Sequence, residues 1–282
     1  MTGSSLPAHE AVSFSLGREV LPVGSTREHD KRVELSALLV GGGVMTPRSL
    51  ELASRSEVRW REEILEVGAR GFPRAVQSVF LSSRSNDPFV AGSVLLPDAL
   101  SGRRFRVSLG EGGRVEVESL DGAALDGELA RLVQRDVRGL GEAPLFWGFC
   151  PAGEVAPNTP MPLTHESASG WFGHDPSFVV EQASATYLGM AELENTVPGR
   201  VALFAGAVSF RGQSGPNLSL QSALTGWIGV DPATGERVAA ELSGPVQLEV
   251  TAQALGLRHP MSGQGTLSIS TRSRLFGVGR AS

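Results

Sequence analysis

The stretch Val246-Gln-Leu-Glu-Val-Thr-Ala-Gln253 alternates apolar and polar residues without a break. Successive side chains of an extended chain point to opposite sides, so a period of two marks a β-strand with one wet face. Leu267, Ile269 and Thr271 alternate with Ser268, Ser270 and Arg272 in the same way. Outward from these, strands are predicted at Lys31–Val40, Glu57–Val67, Arg74–Ser82, Arg103–Leu109 and Arg114–Ser119. Three more are predicted at Phe178–Leu188, Arg200–Phe210 and Ser219–Val230. Turn chemistry separates them at Gly41-Gly-Gly43, Gly68-Ala-Arg-Gly71, Gly110-Glu-Gly-Gly113 and Asp231-Pro-Ala-Thr-Gly235, the last being the clearest hairpin. Residues 201–210 are apolar on both pleat faces, which predicts a central strand covered on both sides.

One helix interrupts the strands. Leu125, Leu129, Leu132, Val133, Val137 and Leu140 recur at helical spacing, with Asp121 or Asp126 as N-cap and Gly139 or Gly141 as terminator. The charged residues Glu128, Arg131, Arg135, Asp136 and Arg138 occupy its other face, so the apolar stripe packs on a sheet. The expected fold is therefore mainly β: a large curved antiparallel sheet, half-barrel or sandwich, with one amphipathic helix near 125–140. The order divides into an N-terminal strand set (1–120), a helix with a proline-rich connector (121–163) and a C-terminal strand set (164–282). Either these are separate units or they make one continuous domain.

Composition removes whole classes of function. Of the 25 basic residues in the 282-residue chain only Lys31 is a lysine. The arginine bias points to a high-GC bacterial source, and a Schiff-base or phosphate-loop lysine could only be Lys31. Its neighbourhood, Arg27-Glu-His-Asp-Lys-Arg32, reads as a solvated charge run. A single cysteine, Cys150 in an apolar setting, forbids an intramolecular disulfide or a cysteine metal cluster and reads as an inert buried thiol. The net charge of −5 gives no electrostatic footprint for nucleic acid. No transmembrane run of apolar residues occurs, and Met1–Pro7 carries no basic-then-apolar leader. The compartment is thus the cytoplasm, or the periplasm and envelope if a signal has been removed.

The order of features is similar to that of a known group. Arg59-Trp-Arg-Glu-Glu-Ile-Leu-Glu-Val67, Arg74-Ala-Val-Gln-Ser-Val-Phe80 and Ser101-Gly-Arg-Arg-Phe-Arg-Val107 precede the helix. Pro151–Leu163, Trp227–Gly235 and Gly263-Gln-Gly-Thr-Leu267 follow it. Across residues 30–276 this resembles uncharacterised bacterial envelope lipoproteins and secreted proteins. The resemblance implies a curved antiparallel sheet like the half-barrel of lipoprotein carriers, and no catalytic residues to transfer. The chain departs from that group in lacking a lipobox cysteine.

The densest polar segment is His165-Glu166-Ser-Ala-Ser-Gly-Trp171-Phe172-Gly-His174-Asp175. Its spacing matches no metal motif, and a loop of solvated polar residues is the plainer reading. Phe146, Trp147, Phe149, Trp171 and Phe172 either line an apolar cup or close the core around the helix. Nucleophile elbow, phosphate loop and dinucleotide fingerprint are all missing. Glu62 and Glu63 alternate across a strand and cannot act as one pair, while Trp60 and Trp227 read as cross-strand packing. The expected ligand-binding residues are Trp147, Phe149, His165, Trp171, Phe172 and His174, with no catalytic residue, metal or cofactor. The expected function is a non-enzymatic β-sheet module binding a lipid or other apolar small molecule, or a partner protein. Two alternatives stay open: an isomerase or cyclase using His165, Glu166, His174 or Asp175 in a β cup, and an assembly component pairing by strand edges.

Overall fold

The computed structural model describes residues 5–41, 48–88, 90, 92–122, 124–137, 139–161, 163, 178–194, 199–213, 217–253 and 259–277. The strands are β1 (His9–Glu10), β2 (Phe14–Ser15), β3 (Thr26–Gly41), β4 (Arg48–Val67), β5 (Pro73–Ser85), β6 (Leu96–Pro97), β7 (Arg104–Leu109) and β8 (Val115–Ser119). After helix α1 (Gly127–Asp136) come β9 (Glu154–Val155), β10 (Pro160–Met161), β11 (Phe178–Glu192), β12 (Arg200–Gln213), β13 (Leu218–Val230), β14 (Arg237–Val250) and β15 (Met261–Gly277). Thirteen strands form one curved, open antiparallel sheet in the order β1-β11-β12-β13-β14-β15-β3-β4-β5-β7-β8, with β10 beside β11 and β6 beside β5. The mainly β expectation with one helix holds.

Most expected strands are present but longer. β4 begins nine residues before Glu57, and β15 extends the alternation at Leu267 in both directions. The nine extra residues of β4, 48–56, carry a short alternation at Leu50 and Leu52, and the polar stretch Ser54-Arg-Ser56 separates this from the stronger one at Val58, Trp60 and Ile64. The hairpin Asp231–Gly235 joins β13 to β14, its Gly235 at φ 73°. Its turn is held by Asp231, which accepts hydrogen bonds from the Ala233 N–H and the Thr234 hydroxyl.

Glycine shapes the sheet. Gly206 and Gly226 face each other across β12 and β13, and Gly244 on β14 and Gly263 and Gly265 on β15 fall on the same pleat face as the core residues Leu224, Leu242 and Leu267. A Cβ on Gly226 would strike the carbonyl oxygen of Glu241, one on Gly244 that of Ala223, and one on Gly265 that of Ser36. Neighbouring strands approach one another there as only glycine allows, and the sheet can bend toward its core along this line.

That core has two parts on one face. In the first, Tyr187, Phe204, Phe210, Leu224, Leu242 and Leu39 are closed over by segments outside the main sheet. Phe14 lies 4.6 Å from Tyr187 and Phe146 lies 5.0 Å from Phe204, ring centre to ring centre. In the second, α1 sets Leu129 and Val133 against Trp60, Val76, Phe80 and Phe105. The opposite face of β12 is also covered, where Val201 and Leu203 pack with Trp227 and Val238. This satisfies the expectation of a strand apolar on both sides. Full burial of each such side chain contributes roughly 1.5–3 kcal/mol.

Helix α1 starts where Asp126 caps it, its carboxylate accepting from the Leu129 N–H at 2.7 Å. It ends at Asp136, four residues short of the expected span, ahead of Gly139 and Gly141 at φ 77° and 76°.

Gly226→Ala and Gly265→Ala should each destabilise the fold by about 3 kcal/mol or more, because backbone must move to admit the methyl group. Gly127→Ala is the control: its Cβ meets open space at the start of α1, and the exchange should stabilise by roughly 0.5–1 kcal/mol. Urea melts of the three variants check this, and equal midpoints would refute the steric account.

Candidate functional site

The expected ligand residues divide sharply. His165, Trp171, Phe172 and His174 lie outside the described residues, as do Glu166 and Asp175. Trp147 ends a short 3-10 turn, donates its indole N–H to the Thr234 carbonyl at 2.7 Å and meets the Phe72 ring edge-on at 5.4 Å. Phe149 is buried against Phe146, 4.6 Å between ring centres. Both aromatics are engaged in packing. Beside them Cys150 is buried 3.8 Å from the Met161 sulfur, and burial pushes its thiol up to about 12, so it is inert at neutral pH.

The chemistry concentrates instead on β3 and its neighbours, where the alternation of the chain sends charge to both faces. On the open face Glu28, Asp30, Arg32 and Glu34 of β3 stand opposite Arg61, Arg59, Glu57 and Arg55 of β4. Every rung joins unlike charges. Glu28 accepts from Arg59 Nε at 2.6 Å and from Arg61 at 3.1 Å, and it is almost fully covered by these two guanidiniums. Burial pushes its carboxyl up, but the arginines outweigh this and hold it below the ordinary range. Glu57 is lowered as well, first by its hydrogen bond with Arg55 and then by the charges of Arg84 and Arg32. Arg84 on β5 lies 3.2 Å from Glu57, and Arg272 extends the field onto β15.

On the core-facing side Arg27, His29 and Lys31 of β3 alternate with the ladder residues. Lys31 is no part of a solvated run: it begins inside a strand and donates to the Asp136 carboxylate of α1 at 2.8 Å. That carboxylate has no exposed surface and also faces Arg135 at 3.2 Å. Burial raises the Asp136 carboxyl, yet the two cations bring it below the ordinary range. Spacing in sequence could not show this, because Lys31 and Asp136 meet only after the helix folds back over the sheet.

His29 is the centre of a second group. Its ring stacks on Trp60 at 4.8 Å and 19°, its Nδ1 is 2.8 Å from the Ser273 hydroxyl, and its Nε2 is 3.3 Å from Glu62 Oε2. The other Glu62 oxygen accepts from the Trp60 indole at 2.8 Å. Burial raises the Glu62 carboxyl, but His29, Trp60 and Arg27 together hold it low. Glu63 points away and is exposed, as the alternation requires. The buried Ser78 hydroxyl, opposite Glu62 on β5, has no hydrogen-bond partner among the described residues. Three strands distant in sequence supply this group, so no local motif announced it.

No family model matches the chain, and no curated protein matches it. Among solved structures, an outer membrane channel from Pseudomonas putida F1 aligns over 92% of this chain and 97% of its own, at 9% identity and a TM-score of 0.24. Of the resemblance to lipoprotein carriers, the curved antiparallel sheet is what stands. No described helix is long and apolar enough to cross a membrane. Among the described residues no three His, Cys, Asp or Glu side chains gather as metal ligands.

Glu28, Glu57, Glu62 and Asp136 all have carboxyls lowered by folding, so stability is complete above their unfolded values near 4 and falls as pH drops through the lowered ones. Lys31→Met removes one partner of a buried carboxylate and should cost about 3 kcal/mol at pH 7. The cost should shrink toward pH 4, because without Lys31 the buried carboxyl of the variant takes a proton more readily. Denaturant melts at both pH values measure this, and a cost independent of pH would refute the pairing.

Proposed function

We propose that the protein is a β-sheet binding module that engages a partner protein through the open face of β15, β3, β4 and β5. One observation carries this reading: a groove of about 380 Å³ on that face, where Arg32, Arg59, Arg84 and Arg272 surround Asp30 and Glu57. The four guanidinium side chains are 47%, 49%, 50% and 45% exposed, and so remain able to donate to a second molecule. Each of the four also pairs with a carboxylate, Glu34, Glu28, Glu57 and Glu241 respectively, so an incoming carboxylate would share guanidiniums already held in place. Planar, weakly hydrated guanidiniums are well suited to carboxylates across an interface, and a pre-formed ladder holds them in register.

The partner that fits is a protein segment presenting carboxylates. Packing of Trp147 and Phe149 supports this version over the apolar-ligand one, because neither ring is free to line a cup. Fields of this kind govern association rate and salt dependence more than final affinity. The bacterial envelope setting belongs to the same proposal, on the arginine bias and the curved sheet.

Poly-L-glutamate serves as the defined acidic probe. Wild-type protein should bind it at 50 mM salt and lose at least tenfold in affinity at 500 mM. Arg84→Glu with Arg272→Glu should abolish binding while shifting the melting temperature little, since both side chains are half exposed. Equal binding by the variant would remove the open face from consideration. A stoichiometric lipid found by native mass spectrometry would favour the apolar-ligand version instead.

A further inference from the structure

We propose that Ser273, His29 and Glu62 form a nucleophile–base–carboxylate relay that accepts the acyl group of a small ester. The site is on the core-facing side of the sheet, independent of the ion ladder. Ser273 lies directly opposite His29 across β15 and β3, and their side chains are already within hydrogen-bond reach at 2.8 Å. That is the contact a base needs to take a hydroxyl proton. With its hydrogen on Nε2, the imidazole offers Nδ1 to the serine and turns its N–H side toward Glu62, 3.3 Å away. Nε2 is buried without an aligned hydrogen bond, so the Glu62 carboxylate is the group that meets the positive charge when Nδ1 takes a proton. Trp60 fixes both partners: its ring stacks on the imidazole, and its indole N–H holds the carboxylate.

A pocket opens beside the serine, and Arg27, Ser273, Leu21 and Leu275 are among the residues that line it. At about 30 Å³ it has room for one or two waters, which limits the acyl group to the size of acetyl. Arg27 on the pocket wall pairs with Glu236 at 3.2 Å and presents the rest of its guanidinium to a developing negative carbonyl oxygen. In the first step the Ser273 proton passes to His29 Nδ1 while Oγ bonds to the ester carbon, whose π pair moves onto oxygen. Collapse of that oxyanion breaks the bond to the leaving alcohol, which takes the proton from His29. Water then repeats the sequence, giving up its proton to His29 and releasing the carboxylic acid and free Ser273. Ser273 and His29 are the catalytic residues; Glu62 and Trp60 are positioning residues.

The test uses the full-length protein with an alkyl fluorophosphonate and, separately, p-nitrophenyl acetate. One covalent adduct is expected, mapped to Ser273, with ester hydrolysis at least a hundredfold above that of Ser273→Ala. His29→Gln should abolish both. Glu62→Asp should retain much of the rate and Glu62→Gln little, with a changed pH profile, which a purely structural carboxylate would not produce. Arg106→Glu, exposed on β7 and part of neither site, should label like wild type. No adduct with no hydrolysis above Ser273→Ala, or an adduct on another residue, overturns the proposal. Should Ser273→Ala fail to fold, Ser273→Cys answers the same question by thiol acylation from p-nitrophenyl acetate.

Discussion

The close approach of strands along Gly226, Gly244, Gly263 and Gly265 is the constraint on which the rest depends. A flat sheet of this many strands would leave one broad apolar face uncovered, and two short segments could not cover it. Bending along a line free of side chains brings Leu39 of β3 and Phe204 of β12 into one core, although three strands separate their own. Segments around Phe14 and Phe146 then suffice to close it. Glycine lowers the intrinsic stability of a strand, so its recurrence on one face of four adjacent strands, β12 to β15, reflects geometry rather than propensity.

Strand β3 shows how alternation turns one sequence into two environments. Glu28, Asp30 and Arg32 enter a half-exposed ladder, while Arg27, His29 and Lys31, their immediate neighbours, meet the helix, an indole and a serine. A slip of one residue in register would put the ladder into the core and His29 into solvent. The unlike charges opposite one another on β3 and β4 oppose a slip of two residues, which would place Glu28 against Arg59 but Arg32 against Arg55.

What could be read beforehand follows the same physics. The strand at 201–210, the one expected at 246–253 as far as Val250, the Asp231–Gly235 turn and the Asp126 cap, one of two candidates, were legible because each is decided within a few residues. The start of β4 was not, because the polar stretch Ser54-Arg-Ser56 cuts its short alternation at Leu50 and Leu52 off from Val58, Trp60 and Ile64. The strand order was not legible either, and with it went the meeting of Ser273 with His29 and of Lys31 with Asp136. A charge run looks solvated until something distant packs on one of its faces. The aromatics Trp147 and Phe149 carried a signal for burial, which composition alone cannot distinguish from a signal for a ligand.

The pairing of β3 with β15 also has a temporal meaning. Thr26 finds its partner in Gly277, so one flank of β3 must wait for nearly the whole chain to be made. At ribosomal rates that interval is roughly ten to fifty seconds. During it the β3–β4–β5 meander can form, but it presents an unpaired edge bearing Leu38 and Val40, which remain half exposed even in the finished sheet. Such an edge invites pairing with another nascent chain. The charged rungs at Asp30, Arg32 and Glu34 interrupt it, so in the cell they act as gatekeepers against aggregation before any partner is met.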